Sequence, residues 1–154
     1  MVEFSEIQKY SWFFDTVVVT VLLLIIRFFW RYSERKAYLL FLLPFVLIAG
    51  YLMAERLYTR IDDAGIHYRI IPWQRSETII TWDRVEYVKI SKTIVYSHRT
   101  SRYDVYTLSS GYGLYIFRKV GRPVIIGTNK PDEVRNTILT TGHGDKIAGD
   151  QGIH

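Results

Sequence analysis

Two long apolar runs in the first third of the chain constrain the fold most. They read WFFDTVVVTVLLLIIRFFW over residues 12–30 and AYLLFLLPFVLIAGYLMA over residues 37–54. Each run has about the number of residues that a helix needs to cross a hydrocarbon core of ~30 Å. Asp15 and Arg27 lie close to the ends of the first run, where their side chains could reach lipid headgroups. The sequence therefore predicts two transmembrane helices.

Residues 31–36 form a short basic segment between the two runs. The segment is long enough only to reverse the chain, so the runs are predicted to form an antiparallel hairpin after an N-terminal segment of residues 1–11. The alternative is a buried helix pair in a soluble protein. It is disfavoured because so small a chain has little surface with which to cover two helices that are apolar on all sides. Lysine and arginine are nearly balanced across the hairpin, and we expect cytoplasmic N- and C-termini.

From residue 55 onward the pattern is typical of short strands separated by turns. LYTRI and IHYRII flank the turn sequence Asp62–Gly65, in which Gly65 suits a positive φ. Further strands are predicted over residues 78–82, 85–90, 103–108, 114–117 and 124–126. Pro131, followed by two acidic residues, indicates the start of a helix that ends by Gly142.

This order of elements predicts an α+β fold for the C-terminal two-thirds of the chain. About seven short strands form an antiparallel β-sandwich or open barrel over residues 55–141, closed by the C-terminal helix. Residues 142–154 are rich in glycine and polar side chains, and are predicted to form a flexible polar tail.

Three stretches of this region carry a resemblance to a known family. They are GIHY at residues 65–68, ITWDRV at residues 80–85, and residues 113–133, which contain VIIGTNKPDE. With the two apolar runs and the closing helix, they resemble the bacterial membrane-anchored proteins that carry a pleckstrin-homology-like (PH-like) domain. The resemblance implies a PH-like domain from about Leu57 to Leu139 and a location in the bacterial inner membrane. It implies no single function, because a fold shared this widely has many roles.

Residues 129–132, Asn-Lys-Pro-Asp, match the N-K-x-D string with which GTPases read guanine. A GTPase also needs a glycine-rich loop that ends in Gly-Lys-Ser/Thr, and the chain contains no Gly-Lys pair. The segment is better interpreted as the end of a strand followed by the start of a helix, with Thr128 or Asn129 assisting the cap.

Other polar residues give weak signals for chemistry. Asp62 and Asp63 beside Gly65 are interpreted as a turn rather than an acid–base pair or a cation site, and His67 has no partner visible in the sequence. The histidines and acids of the C-terminal tail lack the spacing of a helical metal site; they are His143, Asp145, Asp150 and His154. The absence of cysteine excludes disulfides, thiolate metal ligands and cysteine nucleophiles. The sequence predicts no catalytic residues, no cofactor and no metal.

A basic loop is the predicted binding site. Its candidate residues are Lys89, Lys92, His98, Arg99 and Arg102, with Tyr96 and Tyr103 among them. Such a loop could contact anionic lipid headgroups or an acidic partner, or it could be an ordinary solvated loop. Nucleic acid is disfavoured because the net charge is only +5.

Two functional hypotheses follow from these patterns. The first is a non-enzymatic interaction module at the membrane surface, whose PH-like domain binds a protein partner or its own copies. It rests on the 12 tyrosines and 4 tryptophans, which are residue types that favour interfaces. The alternative is recognition of anionic lipid headgroups by the basic loop.

Overall fold

Both apolar runs form helices. The computed structural model describes residues 3–10, 12–32, 35–93, 102–108 and 111–148. Helix α1 spans Trp12–Tyr32 and helix α2 spans Arg35–Ala54. They pack against each other within a compact unit, Tyr10–Glu55, which we call the helical hairpin. The Tyr10 hydroxyl donates a 2.9 Å hydrogen bond to Glu55 Oε2 and so joins the two ends of this unit.

The membrane-spanning role predicted for these helices is wrong by a structural criterion. A crossing requires about 20 predominantly apolar residues in one helix. Within the part of the chain that the structure describes, no helix meets the requirement for length and apolar character together. In α1 the apolar stretch is interrupted at Asp15, Thr16, Thr20 and Arg27. The prediction of transmembrane helices at residues 12–30 and 37–54 is therefore corrected to a helical hairpin with an apolar surface. The predicted inner-membrane localisation with cytoplasmic termini is wrong for the same reason.

The second compact unit, Met1–Lys9 and Arg56–His154, holds the strands, and we call it the β-domain. Its first sheet has four antiparallel strands in the order of the chain: β1 (Phe4–Gln8), β2 (Arg56–Ile61), β3 (Gly65–Ile71) and β4 (Thr78–Thr81). Strand β1 pairs with β2 from Phe4↔Ile61 to Gln8↔Leu57. The helical hairpin is thus inserted, in chain order, between two neighbouring strands.

Within the described ranges, the second sheet also has four strands. They are β5 (Val85–Thr93), β6 (Asp104–Tyr106), β7 (Gly111–Arg118) and β8 (Val124–Thr128), in the spatial order β5-β7-β8-β6. Strands β5, β7 and β8 pair in antiparallel fashion, whereas β6 runs parallel to β8. Helix α3 (Pro131–Thr140) follows β8 directly and begins at the predicted proline.

The predicted β-fold needs three corrections. The sheets are not wholly antiparallel, because β6 and β8 run parallel. Neither sheet closes on itself within the described residues, so the open-barrel alternative is wrong. An eighth strand, β1, comes from the N-terminal segment of residues 1–11, for which no strand was predicted.

The core of the β-domain is built from the apolar sides of the strands and of α3. Leu57 and Ile61 of β2 are fully buried, as period-2 alternation requires. Strand β8 is buried along its whole length, because it lies between β7 and β6 and both of its faces are covered. Helix α3 contributes Val134 and Ile138 and contacts β1, β2 and β7.

The beginning of the predicted tail packs on the β-domain. Gly144–Lys146 form a short 3-10 turn, after which Ile147 forms a bridge with Val88 of β5. The Ala148 N–H donates to the Val88 carbonyl at 2.8 Å, and Lys146 Nζ donates to the Val85 carbonyl. Part of the outer edge of β5 is thereby covered, which limits the pairing of this edge with other chains.

Candidate functional site

One face of the second sheet carries a cluster of aromatic side chains. Tyr87 of β5 stands opposite Phe117 of β7, and their rings stack with centroids 4.2 Å apart. The next pair on the same face is Lys89 opposite Tyr115, whose ring meets the edge of Tyr103 at 6.4 Å. All five side chains are half-buried. We call this surface, made of Tyr87, Lys89, Tyr103, Tyr115 and Phe117, the aromatic face.

The predicted basic residues do not form one cluster on the described strands. Lys89 belongs to the aromatic face. Lys92, which is exposed and pairs with Tyr112, points to the other side of β5, because side chains alternate along a strand. Arg102 is exposed just before β6. His98 and Arg99, like Tyr96, lie outside the described residues.

A buried carboxylate holds the junction between β8 and α3. Glu6 of β1 is only 8% exposed, and its Oε2 accepts a 2.6 Å hydrogen bond from the Thr128 hydroxyl. Its Oε1 accepts the Asn129 N–H at 2.8 Å. Thr128 Oγ1 in turn accepts the N–H of Lys130, the residue before the first turn of α3. A charged acceptor therefore fixes the turn that joins the last strand to the closing helix.

This arrangement explains the N-K-x-D string. The main-chain N–H of Asn129 donates to Glu6, and the Lys130 ammonium group pairs with Glu133 at 2.9 Å on the surface of α3. Pro131 occupies the first turn of the helix, where its missing N–H has no consequence. The string serves as a strand-to-helix connection, in which the Asn129 main chain and the Lys130 side chain have partners within the chain.

Close packing surrounds this buried carboxylate. Gln8 is 1% exposed and its amide nitrogen lies 3.4 Å from Glu6 Oε1, while its Oε1 has no hydrogen-bond partner among the described residues. A Cβ at Gly127 would lie 2.7 Å from that oxygen and 3.0 Å from the Thr107 Cβ. Only glycine fits at this point between β1 and β8. The close approach at Gly127 and the hydrogen bonds of Glu6 give these residues a structural role.

A second polar cluster surrounds His67 on β3. The imidazole is 3% exposed, and its Nε2 lies 3.1 Å from Asp62 Oδ1 while its Nδ1 lies 3.4 Å from Glu77 Oε2. Arg60 contacts Asp62 Oδ2 at 3.2 Å and extends the network to Glu3. His67 contacts Asp62, a residue of the predicted turn at Asp62–Gly65. The sequence predicts the turn but does not show that its folding brings the Asp62 carboxylate to the imidazole.

Asp62 is the centre of this network. Its Oδ1 accepts the N–H groups of Ala64 and Gly65 as well as the His67 contact. Partial burial acts to raise the pKa of Asp62, but the Ala64 amide and the His67 ring outweigh it and hold the pKa below its ordinary value. The carboxylate is thus kept ionised as part of a turn. No three acidic or histidine side chains of the described ranges are arranged to hold a metal ion.

The ITWDRV stretch also has a structural role. Trp82 is 5% exposed, its indole N–H donates to the Asp62 carbonyl at 2.9 Å, and its ring stacks on His143 at 4.5 Å. His143, one of the tail residues considered as a metal ligand, therefore packs on an aromatic ring. Asp145 lies in the 3-10 turn, and Asp150 and His154 lie outside the described residues.

A pair of tyrosines lies between the two sheets. The rings of Tyr68 and Tyr106 have centroids 4.8 Å apart, and burial together with the Tyr106 hydroxyl raises the pKa of Tyr68 well above its ordinary value. Arg118 is close enough to Asp104 for a 3.9 Å ion pair. The Tyr68–Tyr106 contact links β3 to the second sheet, whereas the rings of the aromatic face are partly open to solvent.

Comparison with known proteins finds no matching family model and no similar curated protein. The PH-like resemblance therefore stays a prediction, and function has to be argued from the surfaces of the chain.

Proposed function

We propose that the β-domain is a non-enzymatic interaction module that binds a protein partner through the aromatic face. The observation that carries the proposal is the set of four half-buried aromatic rings around Lys89 on one side of the second sheet. The solvent side of an antiparallel sheet is normally polar. Aromatic side chains in such a position are typical of interfaces, because they bury a large area at little cost in side-chain entropy.

The arrangement of the rings supports binding by a preformed surface. Tyr87 and Phe117 are held parallel within 15°, and Tyr103 braces Tyr115 edge-on at 88°. Rings that are already packed lose little freedom when a partner covers them. The single cation of the face, Lys89, would meet a carboxylate at the border of an apolar patch. The partner expected from this chemistry is a protein segment with apolar side chains and a nearby acidic residue.

Recognition of anionic lipid headgroups is the competing proposal. It would need several cations on one surface, since each contributes about 1 kcal/mol near an anionic membrane. Lys89 and Lys92 point to opposite sides of β5, which gives this reading less support from the described strands than the aromatic face gives to a protein partner.

Site-specific photo-crosslinking tests the proposal. A photoreactive phenylalanine analogue is placed at position 115 of the full-length chain in its native host, and the adducts are identified by mass spectrometry. Position 112 is the matched control, because Tyr112 is also a tyrosine of β7 but points to the opposite side of the sheet. A second variant adds Tyr87→Ser, which removes one ring of the aromatic face without touching position 115.

The expected result is a discrete protein adduct at position 115 that is much weaker at position 112 and is lost with Tyr87→Ser. The purified partner should then bind the wild-type chain saturably. Adducts with phospholipid at position 115 would replace the proposal with headgroup recognition. Equal protein adducts at positions 112 and 115 would refute a specific aromatic face.

A further inference from the structure

The helical hairpin has an unusually large exposed apolar surface. Exposure ranges from 40% for Tyr51 to 78% for Trp12. Among the described side chains of this unit, the exposed large apolar ones are Trp12, Phe13, Val17, Val19, Val21, Leu23, Leu24, Phe28, Trp30, Leu43, Phe45, Val46, Leu47, Ile48 and Tyr51. Since a large apolar side chain offers on the order of 150 Å² when fully exposed, this surface amounts to on the order of 1,000 Å².

This area is too large for a lone chain and large enough for a stable dimer. The largest apolar patch on a typical monomeric protein is about 300–600 Å². A standard protein–protein interface covers about 800 Å² on each partner, and obligate homodimers cover more. The exposed apolar area, summed over all sides of the two helices, is therefore large enough to supply one subunit's share of a homodimer interface.

Four of the exposed residues of α1 have a spacing that suits packing against another helix. Val17, Val21, Leu24 and Phe28 are 42%, 48%, 61% and 60% exposed. They are separated by four, three and four residues, which is the spacing of the a and d positions of a coiled coil. Such residues form a narrow stripe that packs against a second helix. We call these four residues the α1 stripe.

An apolar groove between the helices continues this stripe. It has a volume of about 220 Å³ and is lined only by apolar residues. Val17 and Val21 belong both to the α1 stripe and to the groove, and Phe45 and Ile48 form its wall on α2. The hydroxyl groups of Thr16 and Thr20 donate to main-chain carbonyls one turn earlier, so neither hydroxyl requires water when the helix is covered.

We propose that a second copy of this chain covers the hairpin, with the α1 stripe of each copy packed into the groove of the other. The two hairpins then form a four-helix bundle with an apolar centre. The chain supplies both complementary parts, a stripe with coiled-coil spacing and a groove beside it, so a self-complementary two-fold interface is available. This interface is separate from the aromatic face and does not depend on the function proposed for it.

Cysteine crosslinking tests the interface directly, because the chain has no cysteine of its own. Val17→Cys, Val21→Cys and Leu24→Cys are made singly in the full-length chain and oxidised under mild conditions. Leu23→Cys is the matched control: Leu23 is 59% exposed but lies about 200° around the helix from Val21. Circular dichroism checks that each variant keeps its fold, and the mass of the wild-type chain is measured by sedimentation.

The expected result is a wild-type dimer and at least one stripe variant that crosslinks about fivefold more than Leu23→Cys, because a disulfide forms only when the Cβ atoms approach to about 4 Å. The proposal would be overturned if the wild-type chain sedimented as a monomer. It would also be overturned if the wild-type chain inserted into phospholipid vesicles as a monomer. Crosslinking of Leu23→Cys as efficient as that of every stripe variant would also overturn it. None of these outcomes would change the photo-crosslinking result expected at position 115, so the failure of this proposal can be distinguished from the failure of the proposed function.

Discussion

Replacing Glu6 by alanine should destabilise the β-domain far more than a typical change near a chain terminus. The substitution removes the acceptor of two short hydrogen bonds, from the Thr128 hydroxyl at 2.6 Å and the Asn129 N–H at 2.8 Å, and of a longer one from the Gln8 amide at 3.4 Å. A hydrogen bond to a charged group contributes about 1.5–3 kcal/mol, and a buried donor left without a partner costs a similar amount. Part of this loss is offset, because the variant no longer has to remove a carboxylate from water when it folds. We expect a decrease of about 3 kcal/mol in the free energy of unfolding.

Urea denaturation of the full-length chain provides the measurement. The buried Trp82 reports on the β-domain, and Trp12, Trp30 and Trp73, which are exposed, can be replaced by phenylalanine in all variants to isolate its fluorescence. Glu3→Ala is the control, because Glu3 has the same side chain, lies three residues earlier and is 47% exposed. Its surface ion pair should contribute less than about 1 kcal/mol.

A double-mutant cycle separates the Glu6–Thr128 hydrogen bond from general effects of the substitution. Thr128→Val removes the hydroxyl with little change in shape, and the coupling with Glu6→Ala should be about 1–2 kcal/mol. Equal destabilisation by Glu6→Ala and Glu3→Ala, with a coupling near zero, would refute the role given to Glu6 as the anchor of the β8–α3 junction.

Three further predictions follow from local geometry. Gly65→Ala should lower the free energy of unfolding by more than about 2 kcal/mol, because its Cβ would lie 2.4 Å from a main-chain oxygen of β4, whereas Gly50→Ala, with no atom within 4 Å, should be neutral or stabilising in the same urea assay. The pKa of Asp62 in the folded chain lies below the ordinary 3.8, so the stabilisation by its carboxylate is complete above pH 3.8 and is lost as the pH falls through the folded pKa. When the thermal unfolding midpoint is measured against pH, Asp62→Asn should therefore reduce its decrease at acid pH, and Asp63→Asn should not. Burial and the neighbouring Glu55 carboxylate raise the pKa of Tyr10 to about 12. In an ultraviolet titration, Tyr10→Phe should therefore show one fewer tyrosine that ionises late. An unchanged titration would contradict the hydrogen bond between Tyr10 and Glu55.

The elements that the sequence predicts well depend on local signals. Helix α3 begins at Pro131 with acids in its first turn, and the β2–β3 turn lies at Asp62–Gly65, because proline, acidic residues and glycine act within a few residues of their own position. The strands from β2 to β8 overlap their predicted ranges for the same reason, since alternation can be read along a single segment.

Strand β1 was missed because its pattern is reversed. Phe4, Glu6 and Gln8 point inward, while Ile7 is 60% exposed. A charged and an amide side chain on the buried side violate the usual alternation, and their inward position depends on partners at residues 128 and 129. Pairings across more than a hundred residues leave no trace in local periodicity. Strand β6 lies within its predicted range of residues 103–108, but its parallel pairing with β8 was not predicted, because local alternation does not show the direction of a neighbouring strand.

The residues of the aromatic face differ in how visible they are in the sequence. Lys89 and Tyr103 were singled out with the basic loop, and both belong to the aromatic face. Tyr87, Tyr115 and Phe117 were read as ordinary strand residues, because the side of the sheet on which they meet depends on the β5–β7 register. That register is set by tertiary packing and includes a shift between Val85 and Tyr87.

The insertion of the helices between β1 and β2 has a consequence for folding. These neighbouring strands are joined by residues 9–55 rather than by a tight turn. Closing a loop of that length costs about 2 kcal/mol more in chain entropy than closing one of a few residues. Once the hairpin has folded, the Tyr10–Glu55 hydrogen bond holds its two ends together. The loop between β1 and β2 is then already closed, and only a few residues separate each strand from the closed ends. Helix pairing should therefore precede the docking of β1, and damage to the hairpin should release the N-terminal strand before the rest of the sheet unfolds.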